Sequence, residues 1–500
     1  MGDPVNLLAL DLGAESGRAM LGRLEEGLLK LEEVHRFPNG PVRIGDSLHW
    51  DVLRLWSEVK DSLRAAAQCC NDSLVGMGLD TWGVDFGLLA ADDTLIGNPY
   101  HYRDSRTDGM LEWTFARMPR QAIYETTGIQ FMQLNSLFQL LSMVKAGSPA
   151  LEMARSFLTM PDLLNFWLTG RKVNEFTNAT TTQCFNPRRG AWAFDMLEKL
   201  GIPTGMFGEI IPPGTILGDL RLSVAEECSS RIIPVIAPAM HDTGSAVAAV
   251  PADGGTDHRA PDYIYISSGT WSLMGVELSQ PLISADSLAY NFTNEGGLNG
   301  TIRFLRNIMG LWPVQECRRE WERLGMRYSY DELISMASKA PAFQAMINPE
   351  DARFLPPGDM VPRFQAYCRE TGQPVPDTRG AVIRCALESL ALEYRWVAER
   401  LKKLLGRELP VIHVIGGGSQ NRLLNQFAAD ATGCEVIAGP VEATAIGNLL
   451  VQAVGLGLIP SLAEARAIVR NSFDVVHYLP GDTSRWEEAY GRYVKLKSHS

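Results

Sequence analysis

Asp11-Leu-Gly-Ala-Glu-Ser-Gly-Arg18 puts a carboxylate, a glycine turn, a hydroxyl and a guanidinium within eight residues, between apolar runs at 7–10 and 19–22. A carboxylate ending a strand can hold Mg²⁺. A glycine turn lets backbone N–H groups approach an anion closely, and Ser16 and Arg18 add donors for phosphate oxygens. The plainer reading is a decorated β-hairpin in which Asp11 only favours the turn. Ser267-Ser-Gly-Thr270, between 263–266 and 271–275, repeats the pattern 256 positions later, at Gly269 against Gly13. Two such turns, each reading as strand, tight turn, strand, point to duplicated phosphate binding in a nucleotide-dependent enzyme.

Met240-His-Asp-Thr-Gly-Ser-Ala246 lies between a strand and a helix. Asp242 or Thr243 there is either a helix N-cap or part of a reaction centre. An aspartate so placed can take a hydroxyl proton while that oxygen attacks a γ-phosphoryl group. Gly416-Gly-Gly-Ser-Gln-Asn421 follows the strand 411–415 and opens a helix, where free N–H groups suit a nucleotide or simply make a strand-to-helix turn. The chain has neither the Gly-x-Gly-x-x-Gly fingerprint with its acidic partner nor a Gly-x-x-x-x-Gly-Lys-Ser/Thr loop, which excludes a standard P-loop and disfavours a nicotinamide dehydrogenase. Asp80-Thr-Trp-Gly-Val-Asp85 sets an aromatic face among hydroxyls and carboxylates, as a sugar site would, or buries a Trp beside a charged turn. Arg103-Asp-Ser-Arg106 has an exposed ion-pair cluster as its bland reading.

The elements that must position these groups follow from patterning. Strands are expected at 28–36, 74–79, 231–239, 411–415 and 434–438, with strand–turn–strand at 79–89 and a hairpin at 263–277. Helices are expected at 51–68, 120–155 with breaks at Gly128 and 147–149, 161–169, from 241, and at 307–323, 380–405, 422–432 and 443–454. Residues after 483 read as a peripheral helix and loose tail. Hairpins plus crossover helices imply mixed α/β sheets. The best boundary is the polar Gly/Pro linker Pro251-Ala-Asp-Gly-Gly-Thr-Asp-His-Arg-Ala-Pro261, giving domains 1–250 and 251–500.

Five hundred residues exceed one core, so two or three domains are expected. With 46% apolar and 21% charged residues the composition is ordinary for a soluble protein, and a net charge of −12 disfavours nucleic-acid and anionic-membrane partners. No apolar run nears the roughly 20 residues of a membrane span, and no basic n-region marks a signal peptide, so a cytoplasmic enzyme is expected. The eight cysteines show no metal-ligand spacing; Cys368 and Cys385 flank a Pro/Gly loop and could meet, but a permanent disulfide is not expected in a reducing cytosol.

In this order the motifs resemble those of the FGGY carbohydrate kinases, in the sugar kinase, heat-shock chaperone and actin superfamily. The matching strings are Asp11-Leu-Gly-Ala, Ser16-Gly-Arg18, Asp80-Thr-Trp-Gly-Val-Asp-Phe86, Tyr102-Arg-Asp-Ser-Arg-Thr107 and Thr177-Asn-Ala-Thr-Thr-Thr-Gln183. They continue through Ser267-Ser-Gly-Thr-Trp-Ser-Leu-Met-Gly275, Thr293-Asn-Glu-Gly-Gly297, Asn307-Ile-Met-Gly-Leu-Trp312, Gly416-Gly-Gly418 and Val436-Ile-Ala-Gly-Pro-Val-Glu-Ala443, covering about residues 5–480. The resemblance implies two duplicated ribonuclease-H-like, actin-like ATPase domains around a central nucleotide and sugar cleft. It implies Asp242 as the base; Gly83, His241, Asp242, Thr243 and Asn307 on the sugar; Ala14, Glu15, Ser16, Gly17, Arg18, Thr270, Gln315, Gly417 and Gly418 on ATP; and Asp11 on Mg²⁺. The reaction implied is ATP-dependent phosphorylation of L-rhamnulose at O1, in L-rhamnose catabolism. Another ketose or polyol (fuculose, xylulose) as acceptor and an inert nucleotide-gated binding protein are the rival readings; oligomeric state stays open. Two departures stand out. Glu15 replaces a small Ser-type residue and brings negative charge near the phosphates, and Gly244 replaces an Ala.

Overall fold

The computed structural model describes residues 4–252 and 262–497. From residue 253 on, the Pro251–Pro261 linker lies outside the described residues, as do the last three residues of the tail. Contacts divide the chain into two compact units, the first made of 4–252, 277–304 and 442–473, the second of 262–276, 305–441 and 474–497.

The sheet of the first unit runs in the order Ile216–Asp219, Pro234–Ile236, Leu74–Thr81, Val5–Leu12, Ser16–Glu25, Leu28–Pro38. Its two central pairings are parallel and its outer ones antiparallel. Val5–Leu12 is buried on both faces: Leu7, Leu8, Leu10 and Leu12 expose at most 2% of their surface. That is why it reads as a nearly continuous apolar run rather than an alternating one. In the second unit, Val476–Tyr478, Glu435–Ala438, Val411–Ile415, Tyr263–Ser268 and Ser272–Leu278 follow one another in the same order. The senses match in turn: antiparallel, parallel, parallel, antiparallel. The repeat expected from two loops therefore extends to five successive strands of each sheet. Each copy carries a three-residue hairpin turn, 13–15 and 269–271.

The helix Val52–Cys69 starts where Asp51 accepts from Arg54 N, and turns Val52, Leu55, Val59, Leu63 and Ala66 inward. Between the sheet strands, residues 86–206 build a separate apolar core around Phe138, Leu141, Phe157 and Leu197. The 27-residue helix Arg379–Leu405 begins at Thr378, which caps Ala381 N, and stops at left-handed Gly406.

Some expectations need correction. The strand drawn over 231–239 shrinks to Pro234–Ile236, because Pro234 and Pro238 cannot donate to a ladder. Phe86–Leu89 is a strand, but it pairs with Ser156–Thr159 rather than folding back on Leu74–Thr81. The helix placed at 307–323 starts only at Trp312, and Asn307 sits on the strand Ile302–Ile308. The last helix, Ser484–Lys497, is not peripheral: Trp486, Ala489, Tyr490 and Tyr493 are buried, and the Tyr493 hydroxyl donates to buried Glu393 at 2.5 Å. Cys368 and Cys385 are both buried free thiols.

Helix Ala443–Gly455 crosses helix Asp242–Ala248 at Gly447, where an added Cβ would lie 1.8 Å from the Ser245 carbonyl oxygen. Only glycine permits that approach, and the neighbour is rigid backbone. Gly447→Ala is expected to cost about 2–3 kcal/mol of stability through overpacking, read from the urea midpoint. It should also lower activity, because the helix it displaces begins at Asp242.

Candidate active site

In the first unit the site is built at the ends of two parallel strands. Asp11 on Val5–Leu12 and Asp80 on Leu74–Thr81 are register partners, and both are buried. Across the hairpin Asp11 also faces Arg18, whose Nε and Nη2 donate to Asp11 Oδ2 at 2.9 and 2.7 Å. Arg18 Nη1 pairs with Glu442 Oε2 at 2.6 Å. Burial opposes the Arg18 charge, but Asp11 and Glu442 outweigh it and hold the guanidinium firmly protonated. The Asp11–Arg18 loop is pinned by Gly13 N donating to Ser16 O, by Asn39 N donating to Glu15 O, and by Asn39 Nδ2 donating to Gly13 O.

Asp80 is fully buried, and Asn448 Nδ2 donates to its Oδ2 at 2.5 Å. Burial and then the Asp11 charge push its carboxyl well above the usual range. Asn448 and Gln452 are the inward polar residues of helix Ala443–Gly455; Gln452 Nε2 donates both to Asn448 Oδ1 and to Leu8 O. Two polar residues at i, i+4 on an otherwise apolar helix were a readable sign of this staple.

The second half of the site follows the next strand position. Thr81 forms a parallel bridge with His241, and Thr81 N donates to Met240 O. His241 is extended (φ −82°, ψ 119°), and helix Asp242–Ala248 starts after it. Neither alternative cap reading holds: His241 occupies the cap position without a side-chain cap bond, and Asp242 is the first helical residue. Asp242 Oδ1 accepts from Thr243 N at 2.5 Å and Thr243 Oγ1 at 3.1 Å. Its side chain keeps 30% exposure. Burial first, then the charge of Asp11, raise the Asp242 carboxyl to about 7. His241 Nε2 lies 3.4 Å from Asp242 Oδ1. Gly83 leaves room beside this ring; a Cβ there would sit 3.3 Å from His241 Nε2 and 3.0 Å from Thr181 Oγ1. The next residue, Val84, has φ +69°, a strained conformation for a β-branched side chain. Thr181 Oγ1 accepts from its N–H, and Ser136 Oγ donates to its carbonyl.

Glu175 is the hidden anchor. It caps helix Phe176–Thr181 and accepts from Thr177 N, Thr177 Oγ1, Asn178 N and Met240 N. Thr177 Oγ1 in turn accepts from His241 N. The 175–177 corner thus holds the backbone on which Asp242 stands. The sequence around Thr177 shows no role on its own, because its partners lie about 65 residues away.

Trp82 is 5% exposed, lies tilted with its ring centroid 4.0 Å from that of Trp50, and commits its indole N–H to Asp85. Asp85 also accepts from Trp50 Nε1, Tyr102 N and Gln139 Nε2, and burial raises it to about 6. Asp104 and Arg106 are not an exposed ion-pair cluster: Asp104 is buried, and Arg106 lies over Tyr100 at 3.8 Å and donates to Gln139 Oε1.

Within the second unit the structure brings together Thr270, Gln315, Gly417 and Gly418. Gly269 and Thr270 carbonyls accept from Leu311 N and Trp312 N, which starts the helix carrying Gln315. Left-handed Gly416 opens the Gly417–Gln420 turn, and a Cβ at Gly418 would meet Ser268 Oγ at 2.0 Å, so that turn lies directly on the strand before Thr270. Asn307 belongs to this unit, apart from the other sugar candidates, which are in the first.

The donor set suits Mg²⁺ as a companion of phosphate. Asp11 raises the electrostatic cost of charging both Asp80 and Asp242, and Asp242 adds to that of Asp80. Among the described residues no group of three or more His, Cys, Asp or Glu side chains forms a metal cage; Mg²⁺ takes one or two carboxylates plus water and phosphate oxygens.

Comparisons with known proteins agree with this architecture. The model of the FGGY family of carbohydrate kinases matches twice, its N-terminal domain over 6–249 and its C-terminal domain over 264–456. A rhamnulokinase of Bacteroides thetaiotaomicron is 46% identical, covering 97% of this chain and 98% of that one. A rhamnulokinase of Oceanobacillus iheyensis is 43% identical over 94% and 97%. Among solved structures, ligand-bound xylulose kinase from Lactobacillus acidophilus superposes with a TM-score of 0.80 at 15% identity, covering 99% of this chain and 98% of that one. Plasmodium falciparum glycerol kinase with ADP gives 0.77 at 15% identity, with the same coverage.

Glu175→Ala would strand the Thr177, Asn178 and Met240 N–H donors in the interior. The expected loss is at least about 3 kcal/mol of stability, measured by denaturant unfolding, with turnover falling alongside it.

Proposed function

The chain belongs to the FGGY family of carbohydrate kinases, and from that premise we propose that it transfers the γ-phosphoryl group of ATP to O1 of L-rhamnulose, giving L-rhamnulose 1-phosphate. It is an ATP- and Mg²⁺-dependent sugar kinase with the family's two-domain α/β fold. The substrate reading is supported by the rhamnulokinases that match over nearly the whole chain. The observation that carries the catalytic reading is Asp242: a partly open carboxylate, fixed by Thr243, with a proton affinity raised to about 7. A base with that affinity can accept a hydroxyl proton at neutral pH.

In this reading Asp242 takes the proton of the attacking hydroxyl, while Gly83, His241, Thr243 and Asn307 orient the sugar. Asp11 holds Mg²⁺, which supplies charge neutralisation at the phosphates when bound. The turn from Ala14 to Arg18 faces the phosphates; Thr270, Gln315, Gly417 and Gly418 face the nucleotide. The chain half 1–250 thus serves phosphate and most of the sugar, and 251–500 serves nucleotide and adds Asn307 to the sugar. Arg18, already held by Asp11 and Glu442, acts chiefly by fixing Asp11 and by lending positive charge to the turn. Eight free thiols support a reducing, cytoplasmic setting.

Asp242→Asn is expected to lower kcat by about 10²- to 10⁴-fold while ATP affinity stays within a few-fold, in a coupled ADP-release assay. Near-normal turnover would show the base to be elsewhere. In the unaltered enzyme the basic form of Asp242 is the active one, so kcat/KM should rise with pH through about 7 and level off above it. Across rhamnulose, fuculose and xylulose the highest kcat/KM should belong to L-rhamnulose; a preference for either other ketose would overturn the substrate assignment.

A further inference from the structure

His241 has two ring nitrogens with different surroundings. Nε2 points toward Asp242 Oδ1 and the open side of Gly83. Nδ1 lies 3.0 Å from Nη2 of Arg303, a residue with no exposed side-chain surface. Arg303 is itself fixed: Nε donates to the Gly296 carbonyl at 2.8 Å, and Nη2 lies 3.3 Å from Glu295 Oε2. Strand Thr293–Gly296, which carries both partners, is tied to helix Phe176–Thr181 by Gly296 N donating to Thr180 Oγ1 at 2.7 Å. At Gly297 an added Cβ would fall 2.5 Å from Thr301 Oγ1 and 3.4 Å from Arg303 Cγ, so the glycine leaves room for both side chains. The guanidinium is thus held by one backbone carbonyl and one buried carboxylate.

A guanidinium has five N–H donors, no acceptor, and does not deprotonate in proteins. At 3.0 Å it can only donate to His241 Nδ1, so that nitrogen must present its lone pair. The single ring proton of a neutral imidazole is then on Nε2. Three charged groups surround the ring. Asp242 faces Nε2 at 3.4 Å and favours a proton there. Glu295 Oε2 lies 3.5 Å from Nδ1 and would favour a proton on that side, but Arg303 is nearer to both. Burial, with the Arg303 charge next, also holds His241 well below its usual proton affinity, so the doubly protonated ring is disfavoured.

We propose that Arg303 is a positioning residue of the phosphoryl-transfer reaction: it locks His241 as the Nε2–H tautomer. His241 then offers one N–H donor, and no competing base, to an oxygen of the sugar bound beside Gly83 and Asp242. Glu295 balances the buried guanidinium charge and keeps it in place. The proposal rests on the reading of His241 and Asp242 as the sugar-facing pair. It extends that reading by naming the requirement His241 imposes, an acceptor oxygen on the sugar at this point.

The test reads the tautomer without any substrate. Full-length enzyme labelled with ¹⁵N is studied by long-range ¹H–¹⁵N correlation of the histidine rings near neutral pH, with the His241 signals identified by their loss in His241→Asn. The expected spectrum has an unprotonated Nδ1 and a protonated Nε2. A protonated Nδ1 in the unaltered enzyme overturns the proposal at once, whatever any variant does. In Arg303→Met the two nitrogens should average between tautomers, and the sugar KM should rise at least tenfold with the ATP KM within twofold. Arg303→Lys, which keeps one cationic donor, should restore most of the tautomer preference and of the sugar KM. An unmoved tautomer in Arg303→Met, or a moved tautomer with an unchanged sugar KM, also sinks it. A failure of the underlying functional reading looks different: the unaltered enzyme would phosphorylate no sugar in the panel, while its His241 tautomer stayed as stated.

Discussion

The parallel pairing of Leu74–Thr81 is the constraint on which the site depends. On one side it sets Asp80 against Asp11; on the other, Thr81 bridges to His241, one residue before Asp242. Because strand register advances by whole residues, a one-residue slip would send these side chains to the opposite face. Three carboxylates collect in one place at an electrostatic cost, and the surrounding polar groups exist to bear it. Arg18, itself paired with Glu442, holds Asp11, Asn448 holds Asp80, and Thr243 holds Asp242. Such a concentration of negative charge weakens a fold on its own terms. In the proposed function its use is to make the place attractive to a cation and to leave Asp242 with the proton affinity of a base.

The second sheet repeats the order and strand senses of the first, yet it carries none of this acid cluster. Where the first hairpin turn follows Asp11, the second follows Ser267 and Ser268 and begins at Gly269. The backbone geometry was kept while the side chains diverged. The first copy retained charges suited to a metal and a proton. The second retained small residues that bring the Gly417–Gln420 turn against the strand ending at Ser268. Duplication of a hairpin and its parallel neighbour supplies the scaffold, and substitution at the turn decides the chemistry.

Most of this scaffold was legible in the chain. Buried strands such as 7–10 and 411–415 show as short apolar runs, and the glycine turns between them fix the hairpins. Errors fell where tertiary context overrides local pattern. Ile302–Ile308 contains Arg303 and Arg306, which are buried, so its alternation does not look like a strand half-buried in a core. The run from Asn307 into the amphipathic Trp312–Arg323 segment was therefore read as one helix. Proline at 234 and 238 cut short a stretch whose apolar content alone suggested nine residues. Asp11 could be chosen as a chemical group because it ends an apolar strand, and His241 and Asp242 because they open a helix after an apolar stretch. Glu175, Glu295 and Arg303 could not, since each is important only through a donor or acceptor brought from elsewhere in the chain.

Those three residues show why the acid cluster needs an outer layer. A carboxylate base works only if its position and its neighbour's proton are both fixed before substrate arrives, because reorganisation at the moment of reaction would raise the barrier. Glu175 fixes position: it holds Met240 N, and through Thr177 it holds His241 N, so Asp242 starts its helix from an immobile corner. Arg303 fixes the proton, because its donors leave His241 Nδ1 only the role of acceptor. Position comes from an anion accepting backbone N–H groups, and tautomer from a cation that cannot accept. Neither group needs to touch the sugar, and neither could exchange roles with the other: a cation at 175 would repel four donors, and an anion at 303 would draw the ring proton to Nδ1, away from Asp242.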